Sequence, residues 1–151
     1  MPFFQRHRTR LGRISEVGRV YFITTNIQDR EPVFADWTVG RLLVKAMAQE
    51  EADGNAVSMA WVVMPDHLHW LVELRVGTLS SLVRRVKSRS ARAVNERLGR
   101  DAKVWQAGFY DHAVRKDEDI KHIARYMLAN PLRAGLVEKI GDYPLWDAMW
   151  L

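Results

Sequence analysis

The sequence predicts an α+β domain: a ferredoxin-like split βαβ antiparallel sheet with two helices on one face and a tyrosine-bearing helix on the other. Three observations predict it. Short β-branched and aromatic runs alternate with stretches of helical periodicity in the order β-α-β-β-α-β-α. Only Pro65-Asp66 separates the second and third strands, which makes them an antiparallel hairpin. One amphipathic helix remains after the fourth strand, and the bare sheet face is the place for it. At 151 residues the chain reads as a single domain, 1–151, long enough to bury a core of ordinary size.

Residues 1–18 are polar, basic and aperiodic, and read as a flexible arm. Val20-Tyr-Phe-Ile-Thr-Thr-Asn26 is the first strand, and Gln28 to Pro32 a polar loop. Asp36 caps a helix to about Ala52, with Val39, Leu42, Leu43, Ala46 and Met47 as its apolar stripe. Asp53-Gly54-Asn55 is a turn. Ala56 to Met64 is the second strand, broken by Pro65, which cannot donate to a ladder. The third strand begins at His67. Thr78 or Ser80 caps a second helix to about Leu98, and Gly99 stops it. Trp105 to Arg115 is a less regular fourth strand, interrupted by Gly108. Lys116-Asp117-Glu118-Asp119 opens a third helix, with acids where the N-terminal dipole favours them. It runs to about Asn130, because Pro131 disfavours helical geometry in the residue before it. Residues 141–151 form a C-terminal tail, apolar enough to pack on the body.

The net charge of +5 is unevenly placed. Residues 1–19 carry five Arg and one Glu, and residues 75–103 carry nine Lys/Arg against Glu96 and Asp101. A basic stripe on a mildly acidic domain is the footprint of a nucleic-acid binder, though a solvated helix face has the same composition. There is no cysteine, hence no disulfide framework, thiolate metal site or thiol nucleophile. With no membrane span or secretory signal visible, a cytoplasmic, nucleoid-associated protein is expected.

His67 and His69 lie two apart on the third strand, so both imidazoles point to one face while Leu68, Trp70, Val72 and Leu74 point to the other. A packed pair and a metal-binding pair both fit that pattern. On the third helix Ile120, Ile123, Ala124, Met127 and Leu128 form the packing stripe, and His122, Tyr126 and Asn130 align beside it at i, i+4, i+8. Laid on the free sheet face, that helix would present Tyr126 and Asn130 to the histidines. Two imidazoles and an amide oxygen would then hold a divalent ion, and a phenol would stand by as nucleophile toward a phosphodiester. His112 is expected to pair locally on the fourth strand, and Glu73 lies roughly 13 Å beyond His69.

Val62-Val-Met-Pro-Asp-His-Leu-His-Trp-Leu-Val-Glu73 resembles the His-apolar-His signature of the single-tyrosine HUH transposases. Trp105-Gln-Ala-Gly-Phe-Tyr-Asp-His112 and Arg125-Tyr-Met-Leu-Ala-Asn-Pro-Leu-Arg-Ala-Gly-Leu-Val137 resemble their C-terminal block. The Asn-Pro-x-Arg-Ala-Gly-Leu-Val form and the Trp-rich tail look like the branch associated with repetitive extragenic palindromes (REP). The resemblance covers residues 14–150. It implies that His67 and His69 ligate the metal and that Tyr126 cleaves single-stranded DNA, leaving a 5′-phosphotyrosine and a free 3′-hydroxyl. It puts Asn130 where relatives commonly carry Gln as the third ligand; Asn is one methylene shorter. The implied cofactor is Mg²⁺ or Mn²⁺, the implied partner single-stranded or hairpin DNA, and the implied assembly a monomer or homodimer. Arg84, Arg85, Lys87, Arg89 and Arg92 on the second helix, with Arg133 in the C-terminal block, become the candidate DNA contacts. The alternatives are a nucleic-acid-binding module of the same fold without catalysis and, ranked last, a His-His metal hydrolase of a small substrate.

Overall fold

Strand propensity and hairpin geometry put five strands in one antiparallel sheet, in the order β4-β1-β3-β2-β5. The computed structural model describes residues 15–115 and 118–150. β1 (Val20–Asn26), α1 (Trp37–Ala52), β2 (Ala56–Met64), β3 (His67–Leu74), α2 (Leu79–Leu98) and β4 (Tyr110–Ala113) make the ferredoxin-like core. α3 (Ile120–Leu128), a short α4 (Asn130–Arg133) and β5 (Trp146–Ala148) follow.

The caps hold the helices where the sequence puts them. Asp36 accepts from the Thr38 amide at 2.9 Å, and Thr78 Oγ1 from the Ser81 amide at 3.1 Å. Gly99 closes α2 in the left-handed region, at φ 66°. The Asp119 carboxylate accepts from the Lys121 and His122 amides and starts α3.

Four details differ from the sequence reading. β4 is shorter than the Trp105–Arg115 run, because Gly108 takes a positive φ and leaves Trp105 only an isolated bridge to Ile27. α3 ends at Leu128 rather than Asn130, and Asn130 opens α4, where Pro131 sits in the first turn and its missing N–H leaves no hydrogen bond unmade. Within the tail, Trp146–Ala148 pairs with β2 as a fifth strand. Residues 1–14 of the expected arm lie outside the described residues, but 15–18 are docked. There the Ser15 hydroxyl accepts from the Leu79 amide at 2.8 Å and the Gly18 amide donates to the Leu74 carbonyl at 2.7 Å.

The sheet has two faces with different jobs. Leu68, Trp70, Val72 and Leu74 are buried under α1 and α2, which bring Val39, Leu43, Met47, Leu82, Val83 and Val86. Each such side chain contributes roughly 1.5–3 kcal/mol on burial. Glu50, fully buried on α1, ties the two helices together. It accepts from Arg85 at 2.8 Å, from Arg89 at 3.4 Å and from Asn55 at 3.1 Å. The other face carries the histidines. α3 lies over β2 on that side, with Ile123, Ala124 and Met127 buried beneath it.

Candidate metal and nucleophile site

Register assembles the site before any side-chain contact is considered. Thr24 on β1 pairs with His69 on β3, His69 with Val62 on β2, and Val62 with Trp146 on β5, so all four share one row and one face. Tyr110 extends the row beyond Thr24. His67 sits one pair along, between Asn26 and Met64.

The two imidazole Nε2 atoms face each other at 3.1 Å, with the rings edge-on at 4.7 Å between centroids. Their other nitrogens are spoken for. His67 Nδ1 meets Asp66 Oδ1 at 2.7 Å, and His69 Nδ1 meets Thr24 Oγ1 at 3.0 Å. Arg30 Nε donates to the second oxygen of Asp66 at 2.9 Å, and Phe22 stacks on the His69 ring. Burial pushes the His67 imidazole below its usual pKa, against the opposing pull of Asp66. Burial alone would raise the Asp66 carboxyl, but the hydrogen bonds from His67 and Arg30 outweigh it and hold the group below the usual range.

These contacts decide the proton inventory. A carboxylate only accepts, so neutral His67 donates from Nδ1 and keeps its lone pair on Nε2. His69 has two states. It donates from Nε2 to His67 while Thr24 donates to its Nδ1, or it donates from Nδ1 to Thr24 and turns a second lone pair toward the first. The second state needs a cation between the nitrogens. Two ligands at right angles on one ion, each at ~2.1 Å, stand ~3.0 Å apart, close to the observed separation. The donor set therefore fits a single divalent ion, with each ring oriented from behind by a hydrogen bond, as ligating histidines require.

α3 carries the candidate nucleophile. Its flank toward β5 bears Lys121, Ala124, Arg125 and Leu128, which face Trp146 and Ala148. Tyr126 lies about 140° round the helix from Lys121 at ~100° per residue, on the opposite flank. It is half-buried, and Arg133 grips it twice: the guanidinium lies 4.1 Å from the ring centroid, and Nη2 donates to the Tyr126 carbonyl at 2.7 Å. Asn130, in α4 just past the break, donates Nδ2 to the Met127 carbonyl at 2.8 Å, leaving Oδ1 as the amide atom able to meet a cation. Among the described residues no three His, Cys, Asp or Glu side chains gather as a metal cluster, so a further protein ligand would come from a residue such as Asn130. Glu73 binds Arg75 at 3.2 Å, and His112 binds Glu118 at 2.9 Å, a local pairing.

The basic stripe divides. Arg84 and Arg92 are exposed on α2. Arg85 and Arg89 are committed to buried Glu50, and Lys87 Nζ donates to the Gln106 and Gly108 carbonyls. Burial, with some repulsion from Lys103, pushes the Lys87 ammonium down to about 8. Three of the expected phosphate contacts therefore have internal partners, and Arg133 is turned onto Tyr126. α2 also lies on the sheet face opposite the histidines. Sequence reasoning missed Thr24, Asp66 and Arg30 as supports of the pair. Asp66 was legible as the neighbour of His67; Thr24 depends on strand register, which no local pattern specifies.

Comparison with known proteins bears on the whole arrangement. Residues 19–130 match the family described as IS200-like transposase, a span that holds the histidines, Tyr126 and Asn130. The chain belongs to the IS200-like transposases. Within that family this transposase is 30% identical over 129 residues to the REP-associated tyrosine transposase of Escherichia coli K12, covering 84% of this chain and 74% of the relative. A solved structure of a REP-associated tyrosine transposase bound to a REP hairpin superposes with a TM-score of 0.74 at 27% identity, covering 92% of this chain and 82% of that one. A crystal structure of a Deinococcus radiodurans protein provisionally named a transposase shares the fold, with a TM-score of 0.55 at 16% identity over 91% of this chain and 98% of that one. Arg133 and β5 lie beyond the residues matched by the family model. No helix among the described residues is long and apolar enough to cross a membrane.

Proposed function

We propose that this transposase nicks single-stranded DNA beside a hairpin and transfers the cut strand, through a covalent bond between Tyr126 and a 5′-phosphate. The observation that carries the reading is the imidazole pair. Its two Nε2 atoms sit at the spacing of two ligands on one ion, and both Nδ1 atoms are engaged from behind. An ion between the rings would use both Nε2 lone pairs while each ring stays oriented from behind. The solved relative holds a REP hairpin, which makes hairpin DNA the substrate class to test.

In this reading His67, His69 and the Asn130 amide oxygen would hold Mg²⁺ or Mn²⁺, which when bound would polarise a phosphate oxygen and offset charge at phosphorus. The Tyr126 oxygen attacks the phosphorus. The bond from phosphorus to the 3′-oxygen breaks, that oxygen takes a proton, and the strand divides into a free 3′-hydroxyl and a 5′-phosphotyrosine. Transfer is the reverse step with a different 3′-hydroxyl. Arg133 restricts the Tyr126 ring from one side, and exposed Arg84 and Arg92 are the remaining α2 cations for backbone contact.

The test is a denaturing gel of the protein with hairpin oligonucleotides carrying single-stranded flanks, with Mn²⁺ or Mg²⁺. A covalent adduct is expected, absent in Tyr126→Phe and in chelator, while Tyr126→Phe still binds the DNA. An adduct that survives either change refutes the mechanism. Binding without any adduct on REP-type hairpins would identify a binding module instead.

A further inference from the structure

On the flank of α3 away from Tyr126 lies a cavity of about 520 Å³, within the range of roughly 300–1,000 Å³ common for small-molecule sites. Its walls are Trp146 and Trp150 from the tail and Ala124 and Leu128 from the helix; Lys121 and Arg125 stand at its rim. Trp150 is 37% exposed, so part of its indole is open to a ligand in the pocket. The pocket shares the sheet face of the histidines. Trp146 is in the same cross-strand row as His69, two strand spacings or roughly 10 Å away. α3 stands between them, with Tyr126 on one flank and the two cations on the other.

Indole walls and a cationic rim are complementary to one kind of ligand: a flat aromatic ring attached to anionic groups. We infer that this pocket takes one unstacked nucleobase of the single strand that Tyr126 cuts, stacked on Trp150, with adjoining phosphates on Lys121 and Arg125. The inference rests on the proposed single-strand activity and adds to it a base-holding site, separate from the histidines. A free apolar partner would leave the two rim cations without a role, whereas a strand crossing α3 uses both.

The test is binding, measured on full-length Tyr126→Phe protein so that no cleavage intervenes. The probes are an eight-nucleotide deoxyadenosine oligomer and an abasic oligomer of the same length and charge. The adenine oligomer is expected to quench tryptophan fluorescence and the abasic one not to. Trp150→Ala should weaken adenine-oligomer binding by roughly 5- to 150-fold, the measured range for one base stacked on an aromatic ring. It should leave abasic binding unchanged, and Trp150→Phe should recover most of the loss. Lys121→Gln with Arg125→Gln should reduce the slope of log K against log salt by about 1.4. Equal weakening of both oligomers by Trp150→Ala, or no weakening of either, overturns the base pocket and leaves the nicking proposal standing. If the adenine oligomer does not bind at all, the pocket and the single-strand function fall together.

Discussion

Thr24→Val tests how the histidine pair is held. The substitution nearly preserves shape and removes the hydroxyl 3.0 Å behind His69 Nδ1. Two routes to the magnitude agree. Loss of the partner behind a ligating histidine typically costs 10- to 100-fold in metal affinity, or about 1.4–2.7 kcal/mol. Independently, the ligating state of His69 must donate from Nδ1, and a part-buried donor left without an acceptor costs about 1–3 kcal/mol. The expected loss is therefore roughly 10- to 100-fold in Mn²⁺ affinity, read by calorimetric titration of Tyr126→Phe protein. Thr24→Ser keeps the hydroxyl and should stay within about threefold of the parent. His67→Ala, which removes a ligand outright, sets the floor. If Thr24→Val binds Mn²⁺ within threefold of the parent while circular dichroism shows an unchanged fold, the hydroxyl does not hold His69 in its ligating state and the tautomer reasoning fails.

Two further outcomes concern the body of the protein. Glu50→Ala should lower stability by about 1–3 kcal/mol in urea unfolding. That is less than for a fully buried ion pair, because the Arg85 and Arg89 side chains are 38% and 42% exposed and can turn to water. Lys87 sets a pH dependence: its folded pKa of about 8 lies below the 10.5 of the free side chain, so between those values the unfolded chain binds more protons and stability from this group rises with pH. Denaturation midpoints from pH 7 to 9.5 should climb more steeply in the parent than in Lys87→Met; parallel slopes would show that the ammonium is not strained by its burial.

Much of this molecule is legible in one dimension where the physics is local. Alternation, caps and a two-residue connection placed β1, β2, β3, α1 and α2, because each depends on residues within a turn or a hairpin of one another. His67 and His69 were legible for the same reason, since period two alone puts them on one face. What failed was non-local. Nothing near Trp146 says that a three-residue segment will find the outer edge of β2. Arg85 and Arg89 read as candidate DNA contacts, and nothing local shows their pairing with Glu50, which is on another helix. Lys87 and Arg133 likewise have partners that the sequence does not show: backbone carbonyls and an aromatic ring brought close only by the fold.

The division of the molecule by its sheet has a consequence for the shape of any nucleic acid it handles. Arg84 and Arg92 are on one side and the histidines and α3 on the other, while Lys87, reaching the Gln106 and Gly108 carbonyls, marks the side of α2 nearest β4. The opposite border is extended by β5 and the tail. A polymer touching both sides would have to bend round an edge of the sheet. Duplex DNA, with a persistence length of about 50 nm, resists so tight a path, whereas a junction between a stem and a loose strand takes it freely.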